Sequence, residues 1–213
     1  MSTSTDSDLP PSAPADLDHF APFREPLRYR KLQAGDQAAL EAHLLRLEPK
    51  DRYLRFWGGA KDEVIRDYCA RLDWSATVIV GAFVGADLRG VIELVRVRLV
   101  PHLAAEVALS VEGPWQNAGV GTELMRRMLT IARNRCIDRV YMHCLAENTR
   151  MQKIARKFEA NLILHDGEIE GRIWPAWPSY FSLAEEAAAD GEAFMASFLD
   201  LSRLWPEAEA AQP

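Results

Sequence analysis

A chain of 213 residues, 48% of them hydrophobic, is enough for one domain with a sizeable core and flexible ends. With 31 Asp and Glu against 25 Lys and Arg, the net charge of -6 gives a nucleic-acid partner no electrostatic support. The longest apolar run, residues 78–86, is far short of the roughly 20 residues that cross a bilayer, and the Ser-, Thr-, Asp- and Pro-rich start lacks the pattern of a signal peptide. Cys69, Cys136 and Cys144 have no Cys-x-x-Cys spacing, and the five histidines have no metal-ligand spacing. Reduced thiols in a cytoplasmic protein, monomer or homodimer, with no metal, no nucleic-acid partner and no membrane partner, are expected.

Pro10, Pro11, Pro14 and Pro22 among small polar residues predict a disordered leader over residues 1–24. Residues 27–32 alternate apolar with basic and read as a half-buried strand. Asp36 then caps a helix with Leu40, Leu44 and Leu47 on one side, and Pro49 stops it. A second helix over residues 62–72 buries Val64, Ile65, Tyr68 and Leu72. Residues 77–84 and 89–99 form a hairpin around Gly85-Ala86-Asp87. Residues 105–111 are the next strand, followed by a glycine loop, a helix from about 120 to 134, and a strand at 139–145. Asn148 caps a helix whose Met151, Ile154, Ala155 and Phe158 share a face. Residues 161–164 and 168–173 pair around Asp166-Gly167, and a last helix over 183–204 closes the chain. This order fits one mixed α/β sheet rather than a doubly wound parallel one.

The loop is Gln116-Asn117-Ala118-Gly119-Val120-Gly121-Thr122. Glycines between a strand and a helix let backbone N–H groups close on a bound anion, and the helix start adds unpaired donors and partial positive charge. A Walker loop needs a lysine after the second glycine, and a dinucleotide fingerprint needs a third glycine where Leu124 stands. A phosphate-bearing ligand of another kind, or a plain connecting loop, remains.

Gln-x-x-Gly-x-Gly at this junction, with Glu106-Val107-Ala108-Leu109-Ser110-Val111 before it and the Asn148 helix after it, resembles the GNAT superfamily of acyl-CoA-dependent N-acetyltransferases. The likeness spans residues 27–174. Asp51-Arg52-Tyr53-Leu54-Arg55-Phe56 also resembles a segment of stand-alone bacterial members and of protein-lysine acetylating enzymes. The resemblance implies a mixed, largely antiparallel sheet flanked by helices, with splayed fourth and fifth strands that admit the pantetheine arm of acetyl-CoA. Residues 25–180 would be the N-acetyltransferase domain and 181–213 a C-terminal helix and tail. Backbone groups of Leu109, Ser110 and Val111 would meet the pantetheine and the reacting carbonyl, at a bulge in the fourth strand. Gln116, Asn117, Ala118, Gly119, Val120, Gly121 and Thr122 would hold the pyrophosphate, and Asn148 would face the cofactor or simply cap its helix. Arg126, Arg127, Arg150 and Lys153 are further cations near the phosphates or in solvent.

A lysine-like amine, with a pKa of about 10.4, must lose a proton before it attacks a thioester. Glu106 matches the family's base position, with Glu93 as second candidate. Many members carry a tyrosine as general acid where this chain has Ala155, but a thiol of pKa about 8.5 leaves without one. The amine acceptor, a small molecule or a protein lysine, is open. The Ala155 departure motivates an alternative from another class, a catalytically silent acyl-CoA-binding sensor. His143 and Cys144, adjacent on a strand, point to opposite faces and form no Cys–His pair. Trp174, Trp177, Tyr180 and Phe181 either cover the acceptor side or form a seam that docks the last helix.

Overall fold

Strands that are apolar on both faces need cover on both, and two sets of helices supply it. In a computed structural model of the chain, residues 26–99 and 102–203 are described; the expected leader and the end of the tail lie outside them. The strands are β1 (Arg28–Lys31), β2 (Thr77–Val84), β3 (Asp87–Leu99), β4 (His102–Val111), β5 (Arg139–Leu145), β6 (Asn161–His165) and β7 (Glu168–Ile173). They form one sheet in the order β1-β2-β3-β4-β5-β7-β6, in which β4 and β5 run parallel and every other pair is antiparallel. The helices are α1 (Gln37–Arg46), α2 (Pro49–Phe56), α3 (Asp62–Ala70), α4 (Val120–Asn134), α5 (Thr149–Lys157) and α6 (Tyr180–Arg203).

One core lies under α4 and α5, where Leu124, Met125 and Met128 meet Ile92, Leu94, Val107 and Met142. The other lies under α1 and α3, where Leu40, Leu44 and Ile65 meet Ile79, Phe83 and Val91. Two tight turns match their glycines. Gly85 lies at φ 58° between β2 and β3, and Asp166-Gly167, at φ 47° and 84°, joins β6 to β7 as a type I′ pair.

Val64, expected in the core, is 54% exposed, and its helix ends at Ala70; four further sequence expectations need correction. Pro49 does not merely stop a helix: α1 ends at Arg46 and Pro49 opens α2, because a proline in the first turn lacks only an N–H that would be unpaired there anyway. The strands β3 and β4 begin earlier than read, at Asp87 and His102, and α6 begins at Tyr180. The aromatic cluster is not a packing seam: Trp177, Tyr180 and Phe181 are more than four-fifths exposed. Instead α6 docks through polar contacts. Lys31 donates to Glu186 at 2.5 Å, Arg135 to Glu186 at 3.0 Å, and Asn134 to the Ser182 carbonyl at 2.8 Å. Finally, the β3–β4 register runs without a shift from Gly90 opposite Val111 to Leu99 opposite His102, so the expected bulge near Leu109 is not there.

A buried polar chain ties α1 to the end of β4. His43 has no exposed surface, and its Nδ1–H donates to Glu112 Oε1 at 3.1 Å while its Nε2 accepts from the Ser110 hydroxyl at 3.0 Å. Glu112 also accepts from Arg46 Nε at 2.9 Å and Arg89 Nη1 at 3.0 Å. Burial lowers the His43 pKa from 6.5 despite the pull of Glu112. Burial alone would raise the Glu112 carboxyl, but hydrogen bonds from His43, Arg46 and Arg89 outweigh it and hold it below 4.5. Both folded-state values are depressed, so both contributions to stability are present at high pH and are lost on acidification. The melting temperature should hold above neutrality, fall from about pH 6.5 as His43 is forced to protonate, and fall again below about pH 4.5 as Glu112 follows. His43→Gln should erase the first descent in thermal melts followed by circular dichroism between pH 4 and 8; its survival in the variant would assign it to other groups.

Candidate active site

The site begins where β4 and β5 part. Their parallel pairing runs from Ala104 opposite Arg139 to Val107 opposite Met142 and goes no further, although both strands continue. Glu112 donates its N–H to the Arg89 carbonyl at 3.0 Å, which makes these two a hydrogen-bonded pair at the end of the β3–β4 ladder. Alternation then makes Ser110 opposite Val91 and Ala108 opposite Glu93 hydrogen-bonded pairs too. Leu109 and Val111 fall between them and turn their N–H and C=O groups away from β3, into the gap. Ser110, by contrast, spends its backbone on β3 and its hydroxyl on His43.

This gap opens into a cleft of about 290 Å³ lined by Leu109, Ser110 and Val111 on one side and by Asn148, Arg150, Lys153, Ile154 and Lys157 on the other. Gln116, Asn117, Gly119, Gly121 and Thr122 close its end. Of the expected loop residues, Ala118 does not line the cleft and Val120 is core, 1% exposed. Gly119 has φ 84°, a conformation that suits glycine, and α4 starts there without a side-chain cap, so its first N–H groups are left for a ligand. A Cβ on Gly121 would lie 2.9 Å from Ile154 Cδ1, so glycine here lets α4 and α5 approach. Asn148 caps its helix, its Oδ1 accepting from Met151 N–H at 3.1 Å, and it also lines the cleft.

Four cations had been candidates for the phosphates. Arg150 and Lys153 line the cleft, and Lys157, which the sequence reading missed, joins them one turn on. Arg126 and Arg127 instead hold Glu123 at 2.8 and 2.7 Å on the far side of α4. Arg150 also closes a triangle across the cleft mouth. It donates to Asp51 on α2 at 2.7 Å and to the Gln116 side-chain oxygen; Gln116 Nε2 donates to Asp51 at 2.7 Å and to the Val111 carbonyl at 2.8 Å. One lone pair of that carbonyl is therefore already used, and Leu109 offers the freer pair of backbone groups.

A second cleft of about 250 Å³ adjoins the first and shares Leu54, Arg55, Leu109, Asn148 and Met151 with it. Glu106 lines it, nearly half exposed, and His143 Nδ1 lies 3.2 Å from Glu106 Oε1. The ring's Nε2 lies 3.5 Å from Glu170, whose carboxyl a hydrogen bond from Arg172 holds below its ordinary range. The sequence reading tested His143 only against Cys144 and so missed this pair. The signal was present: Glu106 pairs with Tyr141, and two residues on along β5 the side chain returns to the same face. Cys144 is buried, as the opposite-face reading requires, and burial pushes its thiol up to about 11.

Glu93 is not available as a base. It is 1% exposed, and both of its oxygens are taken, one by Arg55 Nη2 at 2.7 Å and the other by the Tyr68 hydroxyl. Burial and the Glu93 charge push the Tyr68 phenol well above its ordinary range, so it stays a donor. Ala155 is fully buried, and Trp174, Trp177, Tyr180 and Phe181 line neither cleft.

A mixed sheet that opens between two parallel strands over a glycine-started helix defines a GNAT-type acyltransferase fold. A model of the Acetyltransferase (GNAT) family matches residues 42–159, more than half of the chain, and the chain belongs to that family. Among solved structures it is similar to the GNAT domain of S. lividans PAT, with a TM-score of 0.61 and 21% identity over 70% of this chain and 90% of that one. It is also similar to spermidine N-acetyltransferase from Vibrio cholerae in complex with CoA and spermine, with a TM-score of 0.56 and 16% identity over 70% and 95% of the two chains. For ribosomal-protein-alanine N-acetyltransferase from Brucella melitensis the values are 0.53 and 14%, over 68% and 96%. No curated protein matches the sequence. Among the described residues no helix is long and apolar enough to cross a membrane.

Removing Arg150 tests the triangle. Asp51 has only 12% of its side chain exposed, so Arg150→Met leaves a nearly buried carboxylate with Gln116 alone. Stability should fall by about 1–3 kcal/mol in urea unfolding. An unchanged midpoint would show that the contact is dispensable.

Proposed function

We propose that this protein transfers an acetyl group from acetyl-CoA directly to a primary amine, with Glu106 as general base. The observation that carries this reading is the adjacency of the two clefts. One offers unpaired backbone groups, an uncapped helix start and, on α5, the cations Arg150, Lys153 and Lys157; the other offers an accessible carboxylate; and both meet at Leu109. The donor set fits CoA. The N–H groups at the start of α4 suit a pyrophosphate, Lys153, Lys157 and Arg150 suit its charge, and the Leu109 and Val111 backbone suits the amides of a pantetheine arm.

On this reading the amine enters the second cleft as an ammonium ion beside Glu106. Glu106, positioned by the His143 ring, accepts a proton directly or through water, and the nitrogen lone pair attacks the thioester carbonyl. Leu109 presents its backbone N–H to the negative charge that develops on the carbonyl oxygen, a role that Ser110 N–H, paired with β3, does not fill. The carbon–sulfur bond then breaks, and the sulfur leaves as thiolate while the extra proton on the new amide nitrogen passes to water or to that thiolate. No tyrosine serves as acid at position 155, and the thiol's own acidity, with a pKa of about 8.5, takes that part.

Free-thiol release from acetyl-CoA, measured with a panel of small amines and lysine peptides, tests the reading. Glu106→Gln should lower kcat by about 10²- to 10⁴-fold and leave CoA affinity unchanged by calorimetry. His143→Asn should cost less, since it removes only the partner that orients Glu106. A chain that binds CoA and turns over no acceptor would instead be an acyl-CoA sensor.

A further inference from the structure

Arg55 is the charged side chain shared by the two clefts, and its hydrogen bonding is incomplete. Its Nη2 donates to Glu93 at 2.7 Å and to the Tyr68 hydroxyl at 3.3 Å. Its Nε is buried with no partner, and Nη1 makes no hydrogen bond among the described residues. A buried donor without an acceptor is costly, and such an atom beside a reaction site needs a reason. Glu93 does not supply the missing acceptor, because its oxygens bond Arg55 through Nη2 and Tyr68 through its hydroxyl. The packing of Arg55 against Phe56 and Tyr68, 5.0 and 5.6 Å from the ring centres, holds the guanidinium in place.

The sheet fixes where this cation stands relative to the proposed base. Glu93 lies opposite Ala108 and Val95 opposite Glu106, so Glu93 and Glu106 are diagonal neighbours on one face. Diagonal neighbours of this kind have Cβ atoms about 7–8 Å apart. Arg55 rests on the first carboxylate, and the second faces the cleft. A molecule lying between them meets an acceptor for an ammonium at one end and, at the other, a guanidinium whose Nη1 makes no hydrogen bond among the described residues.

From this we propose that the acceptor is a free amino acid, its amine directed to Glu106 and its carboxylate held by Arg55. The proposal rests on the acetyl-transfer reading and deepens it. A planar guanidinium with donors to spare is suited to a carboxylate in a way that an ammonium is not. A carboxylate could also arrive on the donor side, as a dicarboxylic acyl group, because Arg55 borders both clefts. The Glu106–His143 end favours the acceptor, since it puts opposite charges at the two ends of one cleft.

The test uses the full chain, the twenty L-amino acids and their C-terminal amides, simple alkylamines, a lysine peptide, and acetyl- and succinyl-CoA, with thiol release as readout. With acetyl-CoA, at least one amino acid should be used about tenfold or more better in kcat/KM than its amide, and Arg55→Lys should shrink that ratio toward one. This comparison of acid with amide needs no variant, so misfolding of Arg55→Lys would not rescue or sink it. Equal use of acids and amides overturns the proposal, as does preference for the lysine peptide. Preference for succinyl-CoA with alkylamines overturns it by assigning Arg55 to the donor. No thiol release with any pair overturns the acetyl-transfer reading, and this inference with it.

Discussion

The unpaired stretch between β4 and β5 is the constraint on which the rest of the molecule turns. Backbone N–H and C=O groups in a sheet interior are costly to leave alone, so a sheet opens only if something else holds the strands. Here both strands are held from outside. β4 pairs with β3 along its whole length to Val111, and β5 pairs with β7 to Leu145. Past the opening, Ala146 N–H bonds the Gly167 carbonyl at 2.9 Å, and Gln152 Nε2 bonds the Ala146 carbonyl at 2.8 Å. The gap is thus a fixed feature rather than a frayed edge, and its free polar groups are set before any ligand arrives, which lowers the ordering cost of binding.

Two buried polar networks flank the opening, and they differ in what they position. Around Glu112, one carboxylate receives three donors, and His43 has a partner on each nitrogen. Arg89, one of those donors, keeps a buried Nε without a partner, and the part of this network is to lock α1 and Ser110 onto the end of β4. Around Glu93, the carboxylate is satisfied but the guanidinium is not. Buried ion pairs add little net stability compared with apolar packing, so their value lies in where they place charge. The network around Glu112 places a strand; the one around Glu93 places a cation at the junction of two clefts.

Much of this architecture was legible along the chain because periodicity reports burial locally. The strands, the hairpin at Gly85, the I′ turn at Asp166-Gly167, the glycine loop and the Asn148 cap were all visible in short windows of sequence. What was not legible depends on partners distant in sequence. Pro49 reads as a stop from either side, and only the packing of Leu54 shows that a helix starts there. Glu93 and Glu106 look alike in sequence, yet the helices over the sheet bury one and leave the other accessible. Trp177, Tyr180 and Phe181 have the composition of a seam, and their exposure is a tertiary fact. The bulge in β4 came from the resemblance alone, with no residue in this strand to require it.

The absent tyrosine is more than a side chain exchanged at one position. On α5 the residues that line the first cleft are Arg150, Met151, Lys153, Ile154 and Lys157, while Gln152 and Ala155 are turned into the protein, Ala155 completely. Position 155 therefore lies on the packed face, and a phenol placed there would have to displace core side chains before it reached the sulfur. For the proposed reaction this shifts the demand from protonating the leaving group to preparing the nucleophile. A thiol with a pKa of about 8.5 departs unaided, but an amine with a pKa of about 10.4 does not attack until its proton is gone. The side of the site that this chain equips, with Glu106, His143 and Glu170 in a row, is the side where the chemistry is harder.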